Sequence, residues 1–499
     1  MKKLSHDQNI LSWFLLGFII LLAAALRFYD LGGESYWYDE VIMVRVAQGD
    51  IWSILEGGRP PLYIVLAHFW IKLFGTSEAA TRSISALAGV LSIPLMYAVG
   101  RQLFDKRIGL ISAFLMAISQ FQIYYSQDFR YYSLFALTTL FSFYFYVLLL
   151  DTRKILYFVL YVIASILLFY THTFGVFILL VQNLYLLLKW NNYRTIKFQW
   201  ILSQIFLLIA ILPRFIISIQ KVFIGKAGPM SWLPDPGILS PLTTIQYYIG
   251  AGLDYPAWTT VFIAIAFFVV GTAVYITWQG KEKWLSYLRD FSNRKGFSGK
   301  ESELLLVGCW FLLPIILPLI LSKIFGPMYH NRYMISASPA FYILLAFMIT
   351  KVSKVVPEFI SLGLIVIVIT PGLYEFYVTP VREQWREAAA LVEKNGMKND
   401  VIIIAGKPDG QHVKNFNWYY RGNLKECSIA YLYHDEELKS ALEKCISGSD
   451  RFWLVVRKEP FSIQEFMNFF FRNDQIVHLI KQHEFTKVSV YLFGLSDRS

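Results

Sequence analysis

Charge and cysteine are both scarce in this chain, and each scarcity removes a class of answer. Only 16% of its 499 residues are Asp, Glu, Lys or Arg, where a soluble globular domain carries roughly a quarter. A wholly water-exposed protein is therefore excluded. Three cysteines can neither staple a disulfide scaffold nor build a four-thiolate zinc site. Cys309 falls inside an apolar run, while Cys427 and Cys445 fall in the polar tail, where they can pair only if that tail faces an oxidising compartment. There is no internal repeat, low-complexity tract or glycine-rich nucleotide loop. The net charge of +11 does not signal nucleic acid, because Lys and Arg lie mostly in short loops between apolar runs, where the positive-inside rule explains them.

What is present is apolar: 56% of residues are hydrophobic and 17% aromatic, with positive mean hydropathy. This is the composition of a polytopic α-helical membrane protein with room for a soluble domain. The run from Gln8 to Leu26 carries no charge; it is long enough to cross the hydrocarbon core and too long for the core of a cleavable signal peptide. Lys2 and Lys3 precede it and no small-residue cleavage site follows, which predicts a retained anchor with a cytoplasmic N-terminus. Further runs near 79–100, 108–125, 131–150, 155–171, 173–188, 198–218, 258–280, 304–322, 333–350 and 355–374 bring the expected spans to about 11. The apolar stretch from Pro61 to Gly75 is short, opens with Pro-Pro and contains His68 and Lys72, so it reads as an amphipathic helix at the outer interface.

That count puts Arg101, Lys106, Arg107, Arg153, Lys154, Lys189, Arg194, Lys197, the basic cluster from Lys281 to Lys300, Lys351 and Lys354 on the inside. The outer face receives the loop 29–78, the short loop around Ser126 to Arg130, the loop 219–257, the segment from Phe325 to Arg332 and everything after about Tyr374. From Glu383 the periodicity changes. Helical stretches at Glu383 to Lys394 and Glu436 to Cys445 alternate with short apolar strands at Val401 to Ala405, Ser428 to Tyr431, Phe452 to Val456 and Val488 to Phe493, the pattern of a soluble α/β domain. It shows no metal cluster, nucleophile elbow or phosphate loop, so a structural or acceptor-recruiting role is expected of it. The chain thus divides into a membrane module, residues 1–375, whose outer loop 29–78 carries interfacial helices, and an extracytoplasmic α/β domain, residues 376–499.

Four outer elements carry chemistry. Tyr36-Trp37-Tyr38-Asp39-Glu40 supplies two adjacent carboxylates directly after the first span; Gly58-Arg59-Pro60-Pro61-Leu62-Tyr63 places a cation at the start of the interfacial helix; Ser126-Gln127-Asp128-Phe129-Arg130-Tyr131 forms a polar loop; and His330-Asn331-Arg332-Tyr333 caps another span. Plainer readings exist for each. Outer-loop acids are usually just solvated, Trp37 and Tyr38 can be interface anchors, and Arg59 can be a snorkelling cation. Arg82 and Arg130 can brace helices through carbonyls, Asp128 can pair with Arg130, and His172, at the turn between two spans, reads as a hydrogen-bonded structural residue. Asp39, Glu40, His68 and His330 could meet around a divalent cation near Asp39, though no ligand spacing demands a metal.

In this order and spacing, over about residues 10–375, the elements resemble the membrane glycosyltransferases of the GT-C fold, in particular glycosyltransferase family 39, which includes protein O-mannosyltransferases and the lipid A aminoarabinose transferases. Asp39-Glu40 resembles the family's catalytic acidic motif. Arg59-Pro60-Pro61 is similar to its basic-Pro segment, whose cation contacts the lipid phosphate. Arg82 through Gly89 is similar to the pattern Arg-x-x-Ser-Ala-x-x-Gly, Ser126-Gln127 with Arg130-Tyr131 to the second-loop pattern, and Arg332-Tyr333 with Pro339 to Arg-Tyr-x5-Pro. Gly58 departs from the aminoarabinose transferases, which carry an acid there, and the 219–257 loop is too short for the sugar-binding-like insert of many protein O-mannosyltransferases. The resemblance implies a broad bacterial or archaeal branch whose acceptors vary.

Physical chemistry gives the same roles. A sugar on a polyprenyl phosphate presents its anomeric carbon at the membrane surface, and its leaving group departs as a phosphate anion that needs cations and hydrogen-bond donors rather than a proton. Arg59, Arg332 and the hydroxyl of Tyr333 can supply these. Asp39, with Glu40 beside it, can take the acceptor's proton from the opposite side of the anomeric carbon, and direct displacement inverts that centre. Asp128, Arg130, Tyr131, Arg82 and His330 are the further candidates for substrate contact. The expected partners are a polyprenyl-phosphate-linked sugar, membrane lipid and an acceptor glycan, lipid or protein, and the expected location is the plasma (inner) membrane. The alternatives are a membrane transporter, or a non-enzymatic scaffold or receptor with a ligand-binding α/β domain.

Overall fold

The computed structural model describes residues 2–57, 59–224, 233–250, 300–353, 357–429, 436–458 and 477–495. The expected span at 258–280, the basic cluster up to residue 299, parts of the 219–257 loop, Gly58, Lys354 and Tyr431 lie outside them. The helices run in the order α1 (Lys2–Phe28), α2 (Tyr38–Gln48), α3 (Ile51–Glu56), α4 (Pro61–Phe74), α5 (Glu78–Leu103), α6 (Lys106–Ile118), α7 (Gln120–Ser126), α8 (Tyr132–Thr152), α9 (Ile155–Thr171), α10 (Gly175–Leu188), α11 (Lys197–Ile224) and α12 (Ser240–Ile249). After residue 299 come α13 (Lys300–Phe325), a 3-10 helix (Asn331–Ala337), α14 (Ser338–Val352), α15 (Glu358–Val378), α16 (Trp385–Asn395), α17 (Gln411–Tyr419) and α18 (Glu436–Ile446). The chain divides into two compact units: Met1–Tyr29, Gly49–Phe74 and Thr81–Phe376 form the first, and Asp30–Gln48, Gly75–Ala80 and Tyr377–Ser499 the second.

The first unit is a helical bundle of a multi-pass membrane protein. Every expected run that falls on described residues is helical. Among the described residues seven helices are long and apolar enough to cross a membrane, eight if the bent pair α6 and α7 counts as one span, while α4, α9 and α10 are shorter apolar helices. Side chains such as Phe14, Leu21, Phe198 and Ile209 are more than half exposed, which water would penalise and lipid does not. On α4 one face buries Tyr63, Ile64, Ala67, His68 and Ile71 while Leu66, Phe69 and Leu73 point outward, the one-sided pattern of 3.6 residues per turn.

The expected single span 108–125 is instead broken by 60° between α6 and α7. No proline or glycine causes the break. Ser119 is extended there, its hydroxyl capping the amide of Gln122, and the carbonyls that α6 leaves open are taken by Arg27 of α1, whose Nη1 and Nη2 donate to Ala117 and Met116 at 2.8 and 3.0 Å. Helix ends in a bilayer must find such partners within the protein. Packing at this crossing leaves no room for a side chain at Gly89 of α5, since a Cβ there would meet the Ser126 hydroxyl at 2.2 Å.

The second unit holds a five-stranded mixed sheet of β1 (Val401–Ala405), β2 (Lys425–Ile429), β3 (Arg451–Arg457), β4 (Val477–Glu484) and β5 (Val488–Leu495) in the order β2-β1-β3-β5-β4. The pairs β1–β2 and β1–β3 are parallel; β3–β5 and β4–β5 are antiparallel. Strand alternation sends Ile402, Ile404, Trp453, Val455 and Val490 to one face, where α16 and α17 contribute Trp385, Ala389 and Phe416. Val401, Ile403, Leu454 and Phe493 go to the other, with Leu442 of α18. Cys427 of β2 and Cys445 of α18 form a disulfide. Two elements escape the sequence pattern: α17, and β4, whose side chains are largely exposed, as suits an edge strand.

Candidate active site

Within the first unit the loop after α7 is built around Arg130 and the tyrosines that follow it. Ser85 of α5 shares a 2.7 Å hydrogen bond with the Tyr63 hydroxyl and donates to the Arg130 carbonyl at 3.0 Å, and Tyr63 packs against Phe129 and Tyr131 with centroids 5.7 and 6.5 Å apart. The Arg59-Pro60-Pro61 segment is thereby anchored, two residues downstream, to the loop that carries Arg130. Arg82 is buried one turn before Ser85, and Asp128 is buried as well. Gln127 acts structurally: its amide donates to the carbonyls of Leu26 and Tyr29 at 3.2 and 2.9 Å, closing the end of α1.

Rings and guanidinium groups then alternate. Arg130 lies 4.9 Å over the Tyr131 ring and donates to its hydroxyl at 3.3 Å. Arg332 lies 5.8 Å over Tyr132 and 5.4 Å over Tyr333. Tyr131 contacts Tyr132 at 4.8 Å, Tyr132 contacts Tyr333 at 6.4 Å, and His172 sits 5.1 Å from Tyr131 and 5.3 Å from Tyr333. Two buried cations on aromatic faces make a strongly electropositive, water-poor corner. The histidines register it. Burial, then Arg130 and Arg332, push His172 down to about 3, and burial, then Arg332, push His330 down to about 4. Both are neutral at physiological pH.

Arg59 is exposed in the turn before α4. Its approach is held by a residue the sequence reading passed over: Arg214, buried in the apolar α11, donates to the Gly57 carbonyl at 2.6 Å. An arginine within an otherwise apolar span was the available signal.

Asp39 and Glu40 open α2, in the second unit. Asp39 is partly exposed, whereas Glu40 is fully buried. Arg382 donates to Glu40 at 2.7 Å, and Glu34 accepts from the backbone amides of Val381 and Arg382. Further bonds hold the same segment. Arg386 donates to the carbonyls of Gly32 and Gly33 and to Glu78, Tyr36 donates its amide to the Tyr419 hydroxyl, that hydroxyl donates to Glu78, and Ser35 donates to the Glu383 carbonyl. Glu40 is thus committed to an ion pair in the interior of the unit, whereas Asp39, one residue before it, is partly exposed. Among the described residues no three His, Cys, Asp or Glu side chains gather so as to hold a metal ion.

Residues 58–217 match the family model described as dolichyl-phosphate-mannose-protein mannosyltransferase. No curated protein sequence matches the chain. Among solved structures, ArnT from Cupriavidus metallidurans bound to undecaprenyl phosphate superposes with a TM-score of 0.53 at 12% identity over 97% of this chain and 98% of that one; its apo state gives the same score over 98% of each. The Archaeoglobus fulgidus oligosaccharyltransferase in complex with zinc and sulfate gives 0.50 at 14% identity over 89% of this chain and 68% of that one. The fold is the GT-C fold, with a C-terminal domain built on a β-sheet.

Proposed function

We propose that this protein is an inverting glycosyltransferase that moves a sugar from a polyprenyl-phosphate donor to a hydroxyl group of an extracytoplasmic glycan, lipid or protein. The observation that carries the reading is the pair of buried guanidinium groups, Arg130 and Arg332, set on tyrosine faces in a GT-C bundle. Such a corner suits an anion that must leave without a proton. The match of residues 58–217 to a mannosyltransferase family model and the likeness to a lipid-phosphate-bound ArnT support the same donor class.

Arg59, Arg332 and Tyr333 take the lipid phosphate; Arg82, Asp128, Arg130, Tyr131 and His330 serve the substrate around it. Asp39 accepts the acceptor's proton. The acceptor oxygen forms its bond to the anomeric carbon as the bond from that carbon to the phosphate oxygen breaks, and the electron pair leaves on the polyprenyl phosphate. Glu40, committed to Arg382, positions α2 instead of reacting. The protein lies in the plasma (inner) membrane with its N-terminus cytoplasmic and residues 376–499 outside.

A transporter would also carry charges in a helical bundle and has use for a broken helix such as α6–α7, but that is the one bent pair among the described residues, without the matched partner that an inverted repeat supplies. The test is transfer of labelled sugar from polyprenyl phosphate to a cell-envelope extract in proteoliposomes. Asp39→Asn should lower turnover by about a hundredfold or more with donor binding kept. Unchanged turnover would remove Asp39 from this role, and no transfer by the unaltered protein from any polyprenyl-linked sugar would sink the reading.

A further inference from the structure

Between the first halves of α9 and α11 lies an open groove of about 250 Å³, walled by Ile155, Val159, Val162, Ile163, Leu202 and Phe206. Short side chains make it: Val159, Val162 and Ser203 stand between longer ones, and the Ser203 hydroxyl is turned back onto the Gln199 carbonyl at 2.8 Å, so it leaves the groove apolar. Tyr161 stacks on Trp200 at 5.2 Å between the same two helices. Beyond the far end the helices are tied again, where the Tyr170 hydroxyl donates to the Ala210 carbonyl at 2.9 Å. The near end carries charge. Arg153 and Lys154 directly precede α9, and Arg194 and Lys197 stand at the start of α11. Arg153 donates to Thr195 at 3.0 Å, which brings these two chain segments together, and Lys197 rests on the Trp190 ring at 4.5 Å. Among the described residues none of the four cations pairs with a carboxylate. The acids of this end are engaged elsewhere: Asp151 accepts from Gln102 at 2.7 Å, and Glu303 and Glu301 lie near Lys189.

We infer that this groove binds one anionic glycerophospholipid of the leaflet bordering the basic loops, an acyl chain lying between α9 and α11 and the phosphate among Arg153, Lys154, Arg194 and Lys197. Depth and charge select this occupant. From Ile155 to Ile163 the helix rises about 12 Å, close to the thickness of one leaflet in a hydrocarbon core of about 30 Å. A chain that starts at the basic end therefore fills the groove without crossing the midplane. Basic residues at the mouth of a pocket between spans recognise an anionic headgroup and give a zwitterionic one no such advantage. The site is separate from the candidate active site, because Arg130 precedes α8 and Arg153 follows it, and a helix of that length puts about 30 Å between them. A bound chain would fill the space between α9 and α11 and hold the two spans together.

Charge and groove can be removed one at a time. Lys154→Gln and Lys197→Gln take cations from the mouth and leave the walls intact, whereas Val162→Trp fills the groove and leaves the cations. The full-length protein is stripped of lipid in detergent and titrated with phosphatidylglycerol, with phosphatidylcholine of the same acyl chains, and with undecaprenyl phosphate. Native mass spectrometry counts the lipids retained by the unaltered chain and by each variant.

The unaltered chain should retain one phosphatidylglycerol in preference to phosphatidylcholine. Each lysine substitution should weaken that retention by about fivefold with phosphatidylcholine unaffected, and Val162→Trp should abolish it while undecaprenyl phosphate still binds. Equal retention of the two phospholipids by the unaltered chain overturns the inference, as does selectivity that survives the two lysine substitutions together or Val162→Trp. Displacement of phosphatidylglycerol by undecaprenyl phosphate, with both lost in Val162→Trp, would give the groove to the donor's chain and overturn it as well. If a variant fails to fold, the unaltered protein decides: phosphatidylglycerol with a photoactivatable group in its acyl chain should label Val159, Leu202 or Phe206, and labelling spread evenly over the lipid-facing helices overturns the inference.

Discussion

Breaking the ion pair between Glu40 and Arg382 should both loosen the second unit and disable Asp39. Glu40 is 0% and Arg382 6% exposed, with Nη1 and Oε2 2.7 Å apart. Removing one partner of such a pair strands the other charge in a poorly hydrated place, at a cost of about 3–5 kcal/mol. Glu34 stands 3.5 Å from Arg382 Nε and is partly exposed, so a stranded Arg382 retains some compensation and Glu40→Ala falls toward the lower end. Arg382→Ala leaves Glu40 buried beside Glu34 and falls toward the upper end. For a unit of this size each kcal/mol shifts the melting temperature by about 2–4 °C, so losses of roughly 6–20 °C are expected. Melting of the detergent-solubilised protein can be followed by tryptophan fluorescence, because Trp385 and Trp453 are buried in this unit. The double variant Glu40→Leu with Arg382→Met should recover much of the loss, since an apolar pair strands nothing. Glu40→Gln should melt closer to the unaltered protein yet lower turnover with donor affinity unchanged, because it loosens the first turn of α2, where Asp39 sits. Single substitutions that cost less than about 1 kcal/mol, or a double variant whose loss equals the sum of the two, would refute the claim that this pair holds the helix.

Arg59→Ala and Arg332→Ala should each weaken polyprenyl phosphate binding by about 1.5–3 kcal/mol, with Lys rescuing only in part and the double variant losing less than the sum; strictly additive losses in a binding cycle would mean that the two do not share one phosphate. Gly89→Ala would put a Cβ 2.2 Å from the Ser126 hydroxyl and 3.0 Å from Arg27 Nε, so it should cost about 1–3 kcal/mol, and Ser126→Gly should restore part of the lost melting temperature; no change on Gly89→Ala would show that α5 and α7 do not pack this tightly. The Cys427–Cys445 bridge spans 18 residues and should contribute about 3 kcal/mol. Protein alkylated directly from cells should show both thiols blocked, and free thiols there would contradict an extracytoplasmic tail.

The sequence by itself determined what repeats locally. Nineteen-odd uncharged positions in a row can only be a span, the short unbroken apolar runs at 401–405 and 452–456, rich in β-branched and aromatic residues, read as strands buried on both faces, and the ordered motifs from Asp39 to Tyr333 carried the resemblance to the GT-C glycosyltransferases before any geometry was known. Tertiary structure decided what depends on partners distant in sequence. Nothing near residue 119 announces the bend of α6 into α7, because the carbonyls it frees are satisfied by Arg27 from another helix. Asp39 and Glu40 are adjacent and alike as letters, yet one is partly exposed and the other is committed to Arg382, since successive residues of a helix point about 100° apart. The strand β4 was missed because an edge strand exposed along its length has no apolar alternation to read. His172 looked like an ordinary turn histidine, and only the fold placed its buried ring beside Tyr131 and Tyr333 and within reach of the charges of Arg130 and Arg332.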